Sequence, residues 1–599
     1  MIPQKLQCEV AVRPPKITWA DTPESRGVLM FAQLLNEMLA SFSFESFRVL
    51  SLDTTARLRE AVTLVSDVKQ GRIPKAAIDP VIAELNWSLQ KDPVAKHFAQ
   101  LEIDDFSRFA KITNPSWDNL TARLLLLQKK ISPNYRQALE RKLIELVPDS
   151  KHRVAFRQVT GFYCSHLVNS GFSKPYLADG ANALLQKDDG SSVTKADLRN
   201  FFNLLPTKGK KLTLYFLVSH DFGRFLQMLG FDVVAADEAS SGASSALKTL
   251  PEFTEMPSIG KHECEAFDEY SAIVQTELLL THVRALTYLD PHGMLCLWCD
   301  HYYVWHNDEN RGALTKKVAI SFERPAPPRM TAGRRLKSIR NYSRRILRNF
   351  DQPSTARLLS AIATSALART SSSTENHLIS LWSAIEVLLS DPPQSTPRIT
   401  HYANTLVPCI CLRYIRRQFV AVFEEMVLFH RRKFLEIVES DKNSGQHDAH
   451  TNFASIICLP ENEAFRKRLC DIASDNPLAL HRMWKLQRDF SSHKAVLDAI
   501  TGHSDRVSWQ LHRIYRARNN LVHAGRSPSF LDSLIINLAE YFRASIATIV
   551  NRARKEDKKS DLNQMVLEIG IQYEIFFNYF KEHKDDADMT RTDLMHLMN

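Results

Sequence analysis

Arg518, Asn519 and His523, with Asn520 beside them, are the residues of this chain whose types and spacing are best suited to chemistry. Histidine takes or gives a proton near neutral pH. Arginine stays charged and grips phosphate oxygens in pairs, and asparagine can orient either group. Together they amount to an acid or base beside a charge stabiliser, which is phosphate chemistry that needs no metal. Residues 504–525 must position them, and they read as a helix. Leu511, Ile514, Tyr515, Leu521 and Val522 give it an apolar face at helical spacing. Gly525 follows the last periodic residue as a left-handed stop, and Pro528 restarts a helix with Ser527 as its N-cap. Asn519 and His523 are four apart and share a face, and Asn520 is three from His523. Arg518 points partly away but is long enough to swing back. A positive charge on His523 suits the helix C-terminus.

Spacing alone is not specific. Arg488 and His493, Arg506 and His512, and Arg591 and His596 are similarly separated, as a basic chain with 21 histidines makes inevitable. A plainer reading also stands, in which Arg518 and Asn519 brace a bundle and His523 caps a helix end. What sets the stretch apart is the Arg-Asn pair, the stop at Gly525 and a Leu-Trp helix upstream. The phrase IYRARNNLVHAG, residues 514–525, resembles the signature of HEPN domains: Arg, four to six residues, then His. It is most similar to the Apea-like branch. NHLISLWSAIEVLLSDPP, residues 376–393, resembles that branch's first core helix. The likeness covers about 330–550, is faint over 160–330 and is absent before that.

The resemblance implies a dimeric all-helical bundle. It also implies a metal-independent endoribonuclease without cofactor, acting in the cytoplasm as the effector of a prokaryotic antiviral defence or toxin system. RNA would be its substrate, with a defence-system protein as a further partner. Arg518 would stabilise the phosphate, His523 would act as acid or base, and Asn519 would orient them, with Asn520 and Glu386 as accessory residues. The alternative is a non-catalytic RNA-binding or assembly module of a defence complex.

Composition sets the bounds. A chain of 599 residues is too long for one core and divides into several domains. Eighteen glycines are few for a turn-rich all-β fold, so helices are favoured. The net charge of +10 tilts the odds towards an acidic partner, of which nucleic acid is the commonest. Nine scattered cysteines suit free thiols in a reducing compartment. The N-terminus lacks the pattern of a signal peptide. No apolar run approaches the roughly 18 residues of a membrane span, so no membrane partner is expected.

The expected fold is mainly α: a C-terminal HEPN-type bundle, preceded by a small α+β region and an N-terminal helical region. Residues 1–150 read as helices over 28–38, 55–68, 76–98, 118–130 and 134–147. Residues 151–328 mix types, with a strand at 212–219, an exposed loop at 235–261, a helix at 267–289, and a hairpin of 294–305 with 317–322. Residues 329–552 form the bundle, and 553–599 a helical tail. Cys296, Cys299, His301, His262 and Cys264 are zinc-compatible types. A spacing of three on a strand, however, sends Cys296 and Cys299 to opposite faces, so no metal site is expected. His447, Asp448 and His450 read as a solvated loop. Arg329, Arg334, Arg335, Lys337, Arg340, Arg344, Arg345 and Arg348 run without an acid until Asp351. Of these, Arg334, Lys337, Arg340, Arg344 and Arg348 are candidates to bind RNA phosphates, from a helix that docks by the opposite, apolar side. A solvated face is the plainer meaning of such a run.

Overall fold

The computed structural model describes residues 22–40, 52–112, 116–147, 152–185, 193–234, 241–290, 292–319, 332–371, 373–393, 396–440, 448–553, 559–585 and 588–598. The chain is mainly α, with one small antiparallel sheet. It divides into two compact units, residues 1–166 with 321–599, and residues 167–320.

The first unit is helical among its described residues. Local chemistry sets its boundaries. Thr22 accepts the backbone N–H of Ser25 and Pro23 opens the first helix, Pro23–Leu39, in the position where a missing N–H costs nothing. Spacing predicts one helix over 76–98, but the structure has two, Asp79–Lys91 and Pro93–Phe109. Pro93 lacks the N–H a continuing helix needs, and the buried Asp92 carboxylate caps the new start by accepting from Val94 and Ala95.

The organising element is His493–Ala524, a helix of 32 residues. The N-terminal helices, read from sequence as a separate region, pack in the same unit and are tied to its middle by charge. Arg513 donates to Glu60 at 2.8 Å and to Glu84 at 3.1 Å, and Arg516 donates to Glu60 at 3.0 Å. Glu84 also takes Arg57 at 3.0 Å. Burial opposes ionisation of Glu60, but Arg513 and Arg516 outweigh it and bring its pKa down to about 2. Glu84 is lowered likewise, with Arg513 and Arg57 overcoming its burial.

Beside the long helix lies Thr374–Leu388, whose Leu378, Leu381, Trp382, Ile385 and Leu388 are buried, as their spacing predicts. Leu531–Arg552 packs against it. This last helix is long and apolar enough to cross a membrane by length and composition, yet 72% of its apolar window is buried inside the protein. It begins at Leu531 with no side-chain cap, three residues after Pro528, and Ser527 is exposed and caps nothing. His447 lies outside the described residues. Asp448 caps the helix Ala449–Cys458, so no loop surrounds His450.

The second unit carries β1 (Lys210–Val218), β2 (Asp232–Val234), β3 (Ser258–Ala266), β4 (Trp298–His306) and β5 (Arg311–Lys316), in the order β2-β3-β1-β4-β5 with antiparallel pairing. The expected hairpin exists, but its second strand lies earlier than 317–322: Lys316 pairs with His301 and the strand ends there. Part of the expected loop at 235–261 is structured. Ser241–Lys248 is a helix because Ala243 and Leu247, four apart, bury fully against the sheet. Residues 251–254 form a short 3-10 turn before β3.

Candidate active site

Gly525 takes φ 59°, the left-handed conformation that ends the long helix, and its N–H bonds back to Asn520 and Leu521. The motif therefore occupies the final turns of a helix whose Leu511, Ile514 and Ala517 are buried. The apolar face expected to reach Val522 gives out earlier, since Val522 is 46% exposed.

Arg518 is half-buried and held from two sides. Its Nη1 donates to Asn519 Oδ1 at 3.1 Å, and its Nη2 lies 3.7 Å from Glu386 Oε2. Glu386 is itself fixed, because Trp382 Nε1 donates to its other oxygen at 2.9 Å. The Trp382 ring is sealed in the core, 5.4 Å from Tyr515 and 6.0 Å from Tyr402. Burial, with the Glu386 carboxylate second, raises the pKa of Tyr402 and keeps it a neutral phenol. Trp382, Glu386, Arg518 and Asn519 thus form a chain of contacts from the core to the surface. The sequence marks Glu386 as accessory but not Trp382; the signal was their spacing of four on one helix.

His523 and Asn520 are exposed, and His523 makes no hydrogen bond or ion pair among the described residues. The structure brings together Arg518, Asn519 and Glu386; the His523 side chain stands on the next turn, with no hydrogen bond or ion pair to any of them. The other Arg-to-His pairs differ. His493 is buried and 3.2 Å from Asp593. His512 has its pKa lowered to about 4 by burial and by Arg516. His596 lies with its ring tilted 4.9 Å from that of Tyr579, and Arg591 faces Glu461 at 3.8 Å.

The basic segment forms the helix Ala332–Asn349; Arg329 lies outside the described residues. Arg334, Lys337, Arg340, Arg344 and Arg348 are all exposed, as expected. The apolar side, however, does not dock along its length. Leu336, Ile339 and Leu347 are 67%, 62% and 56% exposed, and only Ile346 is buried. Contacts gather in the C-terminal half, where Arg345 reaches Asn551, and Asn349 donates to the Ala553 carbonyl at 2.9 Å. Positive charge accumulates there. Burial, then Arg416, Arg552 and Arg345, lowers the pKa of Arg413. Sequence reading did not connect Arg413 or Arg552 with this surface, because their convergence is tertiary.

In the second unit Cys296 and Cys299 enter different cores, as expected, but not by strand alternation, since β4 begins at Trp298 and Cys296 precedes it. Comparison with family models, curated proteins and solved structures finds nothing that matches this chain.

Proposed function

We propose that the chain is a metal-independent endoribonuclease of HEPN type, with its chemistry at the end of the long helix. The observation that carries this is His523: exposed, without a partner among the described residues, one turn past an arginine braced by Glu386 and Asn519. An RNA 2′-hydroxyl attacks its own adjacent phosphorus. A base takes the hydroxyl proton, the P–O5′ bond breaks, and an acid protonates the leaving oxygen. The products are a 2′,3′-cyclic phosphate and a 5′-hydroxyl. Arg518 stabilises the charge that builds on the phosphate oxygens, and Asn519 keeps the guanidinium in place. One imidazole cannot serve both ends of the bond at once. A two-fold dimer that apposes two motifs supplies a second His523. Family resemblance extends the reading to a defence or toxin effector in the cytoplasm.

The test is incubation of the purified chain with mixed cellular RNA, with and without EDTA, beside His523→Ala. Cleavage indifferent to EDTA and lost in the variant is expected. Cleavage undiminished in His523→Ala, or stopped by the chelator in the wild type, overturns the proposal. The exposed basic helix favours a second reading, in which the chain binds RNA without cutting it. That reading expects salt-sensitive binding that survives His523→Ala, and no cleavage by concentrated protein.

A further inference from the structure

The second unit holds a group of side chains that the ribonuclease reading does not use. Glu252, Cys299 and His301 each offer one donor atom, and the donors all lie within 4.8 Å of one another. Two elements converge to make the group. Cys299 and His301 are two apart on β4, so the alternation of a strand points both to one face. Glu252 comes from the short turn Pro251–Thr254. Phe253, in the same turn, packs on the apolar cluster that contains Cys299, Leu217 and Ile259.

Three details describe how these donors sit together. Cys299 Sγ lies 3.7 Å from His301 Nδ1. The His301 backbone N–H donates to the same sulfur at 3.2 Å, a bond that steadies a thiolate. Glu252 Oε2 is buried with no hydrogen-bond partner. A buried carboxylate oxygen without a donor is costly, and the nearby thiol, a weak donor, does not satisfy it. A cation between them does. Lys316 is cross-strand from His301, and among the described residues it forms no ion pair with Glu252.

We infer that Glu252, Cys299 and His301 form a binding site for a divalent transition-metal ion, with zinc the best fit. One thiolate, one imidazole and one carboxylate are a borderline-soft set, which suits zinc over magnesium or calcium. Three protein donors leave one tetrahedral position to water or an outside ligand. The apolar cluster beneath them shields the inner side of the ion. The Cys296–Cys299 pair that spacing brings to notice is not the site, since Cys296 enters the other core. The third donor lies in a stretch whose sequence reads as loop.

The test loads the full chain with zinc after chelator treatment, dialyses it, and measures metal per chain by atomic emission. About one ion per chain is expected for wild type and for Cys296→Ser. Cys299→Ser should fall to background. Glu252→Gln, close in shape and so the variant least able to disturb folding, should weaken zinc binding by about tenfold or more. Cobalt substitution should give a thiolate-to-metal absorption band that Cys299→Ser lacks. Wild type no higher than Cys299→Ser, or zinc retained in full by both Cys299→Ser and Glu252→Gln, overturns the inference. Metal content is read directly, so the result stands apart from whether RNA is cut.

Discussion

Arg513 and Arg518 lie five residues apart on one helix, yet their surroundings make them different groups. Arg513 is sealed among Glu60, Glu84 and Gln510. Every direction its guanidinium can donate is used, and all but the bond to Gln510 reach other helices. Arg518 has one carboxylate at 3.7 Å, one amide, and a side chain still 23% exposed. Residue type is the same in both; the number of carboxylates supplied by other helices decides which arginine is mortar and which is left to meet a ligand.

The largest expected effect breaks the first side of this contrast. Arg513→Ala takes one of its two arginine partners from each of Glu60 and Glu84 and should cost about 3–5 kcal/mol, read as a lower midpoint in urea. A loss below about 1 kcal/mol would show that the network carries little, since that is the scale of an exposed pair.

His523→Ala probes the other side. The side chain is exposed, so stability should stay within about 0.5 kcal/mol of wild type. Cleavage of RNA should fall by roughly 10²–10⁴-fold, the range for a lost acid or base. A matching loss of stability would move His523 into the structural class.

Acid sharpens the distinction next. The folded pKa of Glu60, about 2, lies below its ordinary 4.5, because Arg513 and Arg516 overcome burial. The stabilisation is therefore whole above about pH 4.5 and drains away as pH falls towards 2. Melting temperature against pH should drop across that window in wild type, and drop less in Arg513→Ala.

Glu386→Gln should keep the Trp382 bond but remove the charge facing Arg518. Cleavage should fall roughly ten- to a hundredfold in kcat with KM little changed, as expected of a positioning residue. Equal changes in melting temperature for Glu386→Gln and Trp382→Phe, without a kcat effect, would mark the contact as packing alone. The smallest effect belongs to the basic helix. Lys337→Ala or Arg340→Ala should each flatten the salt dependence of single-stranded RNA binding by about 0.7 in slope if it contacts a phosphate.

Much of the helical frame was legible because its signals are local. The Leu378–Leu388 stripe, the stop at Gly525 and the strand near 212 follow from periodicity and from glycine's tolerance of positive φ. Glu386, marked as accessory, lies 3.7 Å from Arg518. What escaped depends on distant chain segments. Nothing near Arg513 or Arg516 in sequence announces Glu60 and Glu84, more than 400 residues earlier. Glu252 beside Cys299 and His301 is hidden for the same reason. Leu336, Ile339 and Leu347 misled because an amphipathic pattern states that a face is apolar, not that the fold supplies something to cover it.

The carboxylates that silence Arg513 and Arg516 come from the other end of the polypeptide, and this bears on how the protein is handled at the bench. A truncated chain kept only for residues 330–550 would lose Glu60 and Glu84 and uncover two cations just before Arg518. Such a fragment would attract any polyanion through groups the intact molecule has already spent, and its affinity would overstate that of the whole.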